Sequence, residues 1–182
     1  MKREIVKVAV AVFSVAAALS VISAQAQDDL KTEVQQAKAS FLSTDPSIQK
    51  LMDESAGFAV FPNVGKGGLI VGGARGKGLL FEKGNTTGQV TMTQATIGAQ
   101  AGGQSFSEMI FFQTPETLNE FKAGKFEMRA DVSAVVAAQG AAKSAKFNNG
   151  VAVFTLPKKG LMVQAAVGGQ KFKFEPLQPT GR

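Results

Sequence analysis

The sequence predicts a single α+β domain: a strongly curved, largely antiparallel β-sheet, barrel-like in the limit, with two N-terminal helices and one short helix near 115–123. Three observations predict it. Apolar residues recur at helical spacing before residue 56 and again near 115–123. From Gly57 onward the apolar runs become short and are bounded by Gly, Pro or Asn, the pattern of strands and turns. Those runs are rich in glycine, which marks bulges and close backbone approach, so the sheet curves strongly or closes on itself.

Residues 1–26 read as a secretory signal peptide. Lys2, Arg3 and Lys7 form a basic start, Val8 to Ile22 is an apolar stretch, and Ala24-Gln25-Ala26 is a small-x-small cleavage site. The apolar stretch is short of the roughly 20 residues a spanning helix needs. The expected mature chain, 27–182, begins at Gln27 and is one domain, periplasmic or secreted. Removing the leader takes three of 20 basic and one of 14 acidic residues, leaving 17 against 13 and a net charge of +4.

Residues 28–43 read as an amphipathic helix, with Leu30, Val34, Ala37 and Phe41 on one face and Lys31, Glu33, Gln35 and Lys38 on the other. A second helix follows at 46–55, with Asp45 as N-cap, Pro46 at its first position and Ile48, Leu51 and Met52 as its buried stripe. Strands are expected at Gly57–Phe61, Gly68–Gly73, Gly76–Phe81, Gln89–Thr93, Thr96–Gly102, Ser105–Gln113, Phe126–Ala138, Val151–Leu156, Leu161–Val167 and Lys171–Phe174. Thr114 caps the short helix and Pro115 opens it. In Lys171-Phe172-Lys173-Phe174 the strict alternation sends lysines and phenylalanines to opposite faces.

Two stretches look alike. Gly57-Phe58-Ala59-Val60-Phe61 matches Gly150-Val151-Ala152-Val153-Phe154, Gly68-Leu69-Ile70-Val71 matches Gly160-Leu161-Met162-Val163, and Phe81-Glu82 matches Phe174-Glu175. An internal duplication would place Lys66 in one basic turn and Lys158 and Lys159 in the equivalent turn.

The residue inventory narrows the chemistry. There is no His, Cys, Trp or Tyr, so the side chains that most often activate nucleophiles or hold metals are missing. No metal site, cofactor or catalytic residue is expected. Carboxylates are sparse; Glu108 and Asp131 fall in expected strands without a visible partner. Gly72-Gly73-Ala74-Arg75-Gly76-Lys77-Gly78 lacks the spacing and the Ser or Thr of a phosphate-binding loop, which argues against nucleotide binding. An exported chain without Tyr or Trp is a poor match to nucleic acid.

Cations are clustered instead. Residues 55–81 hold Lys66, Arg75 and Lys77 and no acidic residue. Between Asp131 and Glu175 stand Lys143, Lys146, Lys158, Lys159, Lys171 and Lys173 and no carboxylate. Uncompensated charge near turns suits anionic partners. Lys66, Arg75, Lys77, Lys158, Lys159, Lys171 and Lys173 are therefore the candidate contacts to anionic phospholipid head groups or a membrane surface. The alternative from another class is a non-enzymatic envelope protein that docks a protein partner through the same cations.

The run from Ala56 through Phe61-Pro62-Asn63-Val64-Gly65-Lys66-Gly67-Gly68 to Gly72-Gly73-Ala74-Arg75-Gly76-Lys77-Gly78 resembles the SYLF-domain family. Weaker similarity continues through Ile97-Gly98-Ala99-Gln100-Ala101-Gly102-Gly103-Gln104, Asp131-Val132-Ser133-Ala134 and Lys159-Gly160-Leu161-Met162-Val163, covering nearly all of the mature chain. The resemblance implies binding of phospholipids, phosphoinositides in eukaryotic members. Actin, a partner of some fungal members, does not suit an exported bacterial protein. The chain departs from the family at Gly84-Asn85-Thr86-Thr87-Gly88-Gln89, where a Trp-Ser-x-Pro-like segment is usual. It departs again at Phe154-Thr155-Leu156-Pro157, where Tyr is usual. It looks like a divergent member, and head-group selectivity does not carry over.

Overall fold

A computed structural model describes residues 25–67, 71–97, 104–129, 132–159 and 167–177. The leader expected at 1–26 lies almost wholly outside these residues, as do Asp131 and most of the strand expected at Leu161–Val167.

Helix α1 occupies residues 25–44 and α2 Ile48–Glu54. There follow strands β1 (Gly57–Gly67), β2 (Val71–Glu82), β3 (Asn85–Ile97) and β4 (Gln104–Phe112), and helix α3 (Pro115–Lys122). The chain ends its described course with β5 (Val135–Val136), a 3-10 turn at Ala141–Ser144, β6 (Val151–Lys159) and β7 (Gln170–Pro176). The seven strands make one sheet in the order β5-β6-β4-β1-β2-β3-β7. Every pairing between these described strands is antiparallel except the short β5–β6 contact.

The strands run longer than their composition suggests. The expected strand at Gly76–Phe81 belongs to one continuous β2 whose described start is Val71. The strand expected at Gln89–Thr93 and the first two residues of that expected at Thr96–Gly102 fall in the single β3, and residues 98–102 lie outside the described residues. Glycine lets backbones approach here without interrupting the ladder. A Cβ on Gly78 would strike the Val60 carbonyl and the Phe61 ring, beside the register shift between Val60 and Asn63. Lys83 and Gly84, at φ 50° and 79°, close the β2–β3 hairpin in the left-handed conformation.

The expected strand at Phe126–Ala138 does not form. Glu127 makes one bridge to Lys171, the Met128 N–H donates to the Gln170 carbonyl of β7 while the Met128 carbonyl accepts the Gly169 N–H, and of the described residues in this stretch only Val135–Val136 forms a strand paired with β6. This chain runs from one edge of the sheet to the other, so it cannot pair along one neighbour.

The duplication is overturned. β1 and β2 are neighbours in an antiparallel pair, whereas β6 joins β4 and β7 joins β3 at opposite sides of the sheet. The likeness is one of apolar, glycine-flanked strand composition.

Each sheet face has its own core. The concave face packs Phe61, Met92, Phe106, Ile110, Phe112 and Phe172 against Leu118 and Phe121 of α3. The sheet curls hard around it. β4 and β7 stand four strand intervals apart, about 19 Å in a flat sheet. Yet Gln170 Nε2 of β7 donates to Glu108 Oε2 of β4 at 3.0 Å. The Phe121 ring likewise sits 4.6 Å from Phe112 and 4.9 Å from Phe172, centroid to centroid. The expected curvature is present, but among the described residues the strands do not close into a barrel.

The convex face packs Phe58, Val60, Leu79, Phe81, Phe111 and Phe154 against Leu30, Val34, Ala37 and Phe41 of α1 and Ile48 of α2. The predicted stripe of α1 is the buried one. Lys38, placed by periodicity on the polar face, folds over the stacked Phe58–Phe81 pair, its Nζ 4.6 Å from the Phe81 centroid. Burial lowers its pKa.

Asp45 acts differently from a simple N-cap. Helix α2 starts at Ile48, and Asp45 Oδ1 accepts the N–H and Oγ–H of Ser47 at 3.0 and 2.6 Å. Its Oδ2 accepts the Ala142 N–H at 2.7 Å, tying the α1–α2 junction to the 3-10 turn. For α3 the expected cap holds: Thr114 Oγ1 accepts the Thr117 N–H at 3.3 Å, and Pro115 opens the helix.

Candidate functional site

The convex face is covered by helices over only part of its area. In β2 the odd-numbered residues share this face. Leu79 and Phe81 are buried under it, while Arg75 and Lys77 emerge in solvent. Register carries that boundary across the sheet. Arg75 stands opposite Thr93, and Thr93 opposite Lys171. Lys77 stands opposite Thr91, and Thr91 opposite Lys173. Directly opposed residues project to the same side. Two parallel rows therefore form on bare sheet, each with a cation at both ends and a threonine between. Strand spacing separates the outer backbones by about 10 Å, and two residues of rise separate the rows by about 7 Å.

The lysines on β7 have anionic neighbours. Lys171 Nζ lies 3.2 Å from Glu127 Oε1, and Lys173 Nζ lies 2.7 Å from Glu175 Oε1. The hydrogen bond to Lys173, followed by its charge and that of Lys77, holds Glu175 below the usual carboxylate range, and Glu175 in turn raises Lys173. These pairs are exposed and screened by solvent and salt, so an anionic surface can compete for both lysines. Arg75 and Lys77 make no ion pair among the described residues.

All seven candidate cations lie in strands rather than turns: Lys66 in β1, Arg75 and Lys77 in β2, Lys158 and Lys159 in β6, Lys171 and Lys173 in β7. The structure gathers Arg75, Lys77, Lys171 and Lys173 into the two rows. Lys158 joins their margin, its Nζ donating to Asn63 Oδ1 at 2.8 Å, and Asn63 is the β1 partner of Lys77. The backbone of Lys159 continues the Arg75 row through Ser105 and Gly65. Lys66 pairs with Ala74 and Gln104. The side chains of Lys66 and Lys159 lie outside the description.

Sequence reasoning missed the threonines, whose place is visible only in the register. It also missed that Ser47 and Lys50 have the spacing of a serine–lysine pair. Ser47 Oγ–H donates instead to Asp45, and Lys50 faces Glu54 at 3.8 Å. Glu108 is fully buried, and its described partner is the Gln170 amide. Among the described residues no group of three acidic side chains could hold a metal, and no helix is long and apolar enough to cross a membrane.

Comparison with known proteins follows these strands. The Ysc84 family, described as "Las17-binding protein actin regulator", matches residues 93–176, from Thr93 in the Arg75 row to the last residue of β7. A curated relative, beta cell expansion factor A of Aeromonas veronii, is 29% identical over 130 residues. That match covers 70% of this chain and 49% of the relative, so the chain spans about half the relative's length. The family match over β3 to β7 and the relative together support the resemblance of this chain to a divergent member of the SYLF, or Ysc84, family.

Proposed function

We propose that this is an exported, non-enzymatic phospholipid-binding protein that associates with anionic lipid head groups through the bare face of β2, β3 and β7. The observation that carries the reading is the register that sets Arg75, Lys77, Lys171 and Lys173 on one uncovered face with Thr91 and Thr93 between them. Near an anionic bilayer each cation contributes roughly 1 kcal/mol. Four of them support reversible attachment. Threonine hydroxyls add donors to phosphate oxygens. Export rests on the leader at 1–26 and places the protein in the periplasm or outside the cell.

Vesicle flotation tests the reading. The protein should bind anionic vesicles more tightly than zwitterionic ones, and release as salt shortens the screening length from about 10 Å at 0.1 M to about 3 Å at 1 M. Replacing Arg75, Lys77, Lys171 and Lys173 together by Gln should weaken binding by up to about 4 kcal/mol with an unchanged circular dichroism spectrum. A wild type that ignores anionic vesicles, or a quadruple variant that binds like wild type, overturns it.

A second reading, docking of an envelope protein, is favoured by the two carboxylates on the same surface. Glu127 and Glu175 make it a mixed-charge patch. Loss of vesicle binding in the wild type moves that reading ahead.

A further inference from the structure

A second feature lies beside the basic rows, where α1 crosses the sheet. Glu33, Gln36, Ala37 and Ser40 of α1 face Asn63, Ser107, Leu156, Pro157 and Lys158 of the sheet across a cleft of about 430 Å³. That is within the size range of small-molecule sites, about 300–1,000 Å³. Its two charged residues are of opposite sign and share one amide. Lys158 Nζ donates to Asn63 Oδ1 at 2.8 Å, and Asn63 Nδ2 donates to Glu33 Oε2 at 2.9 Å.

The amide fixes both charges. Asn63 stands on β1 just past the register shift, so its position is set by the sheet and not by the helix. Two hydrogen bonds and one amide hold the ammonium and the carboxylate no more than about 8 Å apart. Neither charge is saturated. An ammonium has three donors and a carboxylate has about four acceptor sites, and the described contacts use one of each. The floor is polar but closed: Ser107 is buried and its Oγ–H donates to the Pro62 carbonyl at 2.8 Å. Ala37, Leu156 and Pro157 give the cleft an apolar side.

We infer that this cleft is a binding site for a small zwitterion, its anionic group on Lys158, its primary ammonium on Glu33 and its short carbon spacer against Ala37, Leu156 and Pro157. A primary ammonium is required because Glu33 offers only acceptors, and a quaternary ammonium has no N–H to donate. The same chemistry occurs in free phosphoethanolamine and in the head group of phosphatidylethanolamine. The inference does not rest on the basic rows, since it uses neither β2, β3 nor β7.

Phosphoethanolamine and phosphocholine, titrated into the full chain and followed by amide NMR shifts, test it without any variant. Phosphoethanolamine should shift signals of residues 33–40, 63 and 156–158, and phosphocholine should bind at least about tenfold more weakly, one charge-assisted hydrogen bond being lost. Glu33→Gln and Lys158→Gln should each weaken phosphoethanolamine about tenfold on the same grounds. The quadruple Gln variant at Arg75, Lys77, Lys171 and Lys173 should bind it as wild type does, which separates this site from the lipid reading above. Adding phosphatidylethanolamine to phosphatidylcholine vesicles then identifies the source. A gain in vesicle binding that Glu33→Gln removes assigns the site to a lipid head group; soluble binding without that gain assigns it to a free molecule. Equal affinity for the two phosphate esters, shifts elsewhere in the protein, or indifference to Glu33→Gln overturns the inference.

Discussion

Asp45 shows how one side chain can serve three parts of the fold. Burial raises its pKa and is the largest single influence. Hydrogen bonds from the Ser47 side chain, the Ala142 N–H, the Ser47 N–H and the Gly140 N–H together outweigh it, and the carboxyl ends below its ordinary 3.8. A depressed carboxylate stabilises the folded state fully above its unfolded pKa and loses that contribution as the pH falls through the lower folded value. Urea midpoints measured from pH 6 down to pH 2 should therefore fall below about pH 4 in the wild type, and less so in Asp45→Asn. At neutral pH Asp45→Ala should cost about 1–3 kcal/mol, because the Ala142 N–H is left buried without its acceptor. An Asp45→Ala variant as stable as wild type would show that the 3-10 turn finds other support. Asp-Pro before an apolar stripe marks a helix start in any chain; the bond to Ala142, 97 residues away, has no local signature.

At the scale of elements, what the sequence revealed was what depends on neighbours in the chain. The stripe of α1 and the Thr114–Pro115 start of α3 are local, and both were legible. Strand limits were not, because a glycine at a close approach and a glycine at a turn look alike in sequence. Gly78 belongs to the first kind. A methyl there meets a backbone carbonyl and an aromatic ring, neither free to withdraw. Gly78→Ala should cost about 1–3 kcal/mol by overpacking, whereas Gly65→Ala, where a Cβ meets nothing within 4 Å, should cost well under 1 kcal/mol. Chemical denaturation of the two variants reads the difference; equal losses would contradict the β1–β2 register. The candidate site was legible in the same partial way. Composition singled out the cations, but that four of them share a face depends on pairing Arg75 with Thr93 and Thr93 with Lys171, partners far apart in the chain.

For the whole molecule, the curl is held where β4 and β7 meet across the concave interior. Glu108→Ala leaves the buried Gln170 amide without this acceptor and should destabilise by about 1–3 kcal/mol. Gln170→Ala in addition should cost much less than the two single losses combined, since both remove the same bond. Full additivity in urea denaturation would mean the two side chains act separately. The apolar strands foretold a curved sheet; nothing in their order foretold which of them would occupy the margins.

That order of strands bears on how the chain assembles. β1, β2 and β3 are consecutive and adjacent, so they can form a meander from local contacts, the fast kind. β6 and β7 are also consecutive among the described strands, yet they travel to opposite sides of the sheet, one against β4 and the other against β3. Until residues 151–176 arrive, both margins present unpaired N–H and C=O groups, open templates for another chain. A nascent or nicked chain lacking this segment is thus two-sided in its capacity to aggregate, and the last strands protect the protein from its own copies.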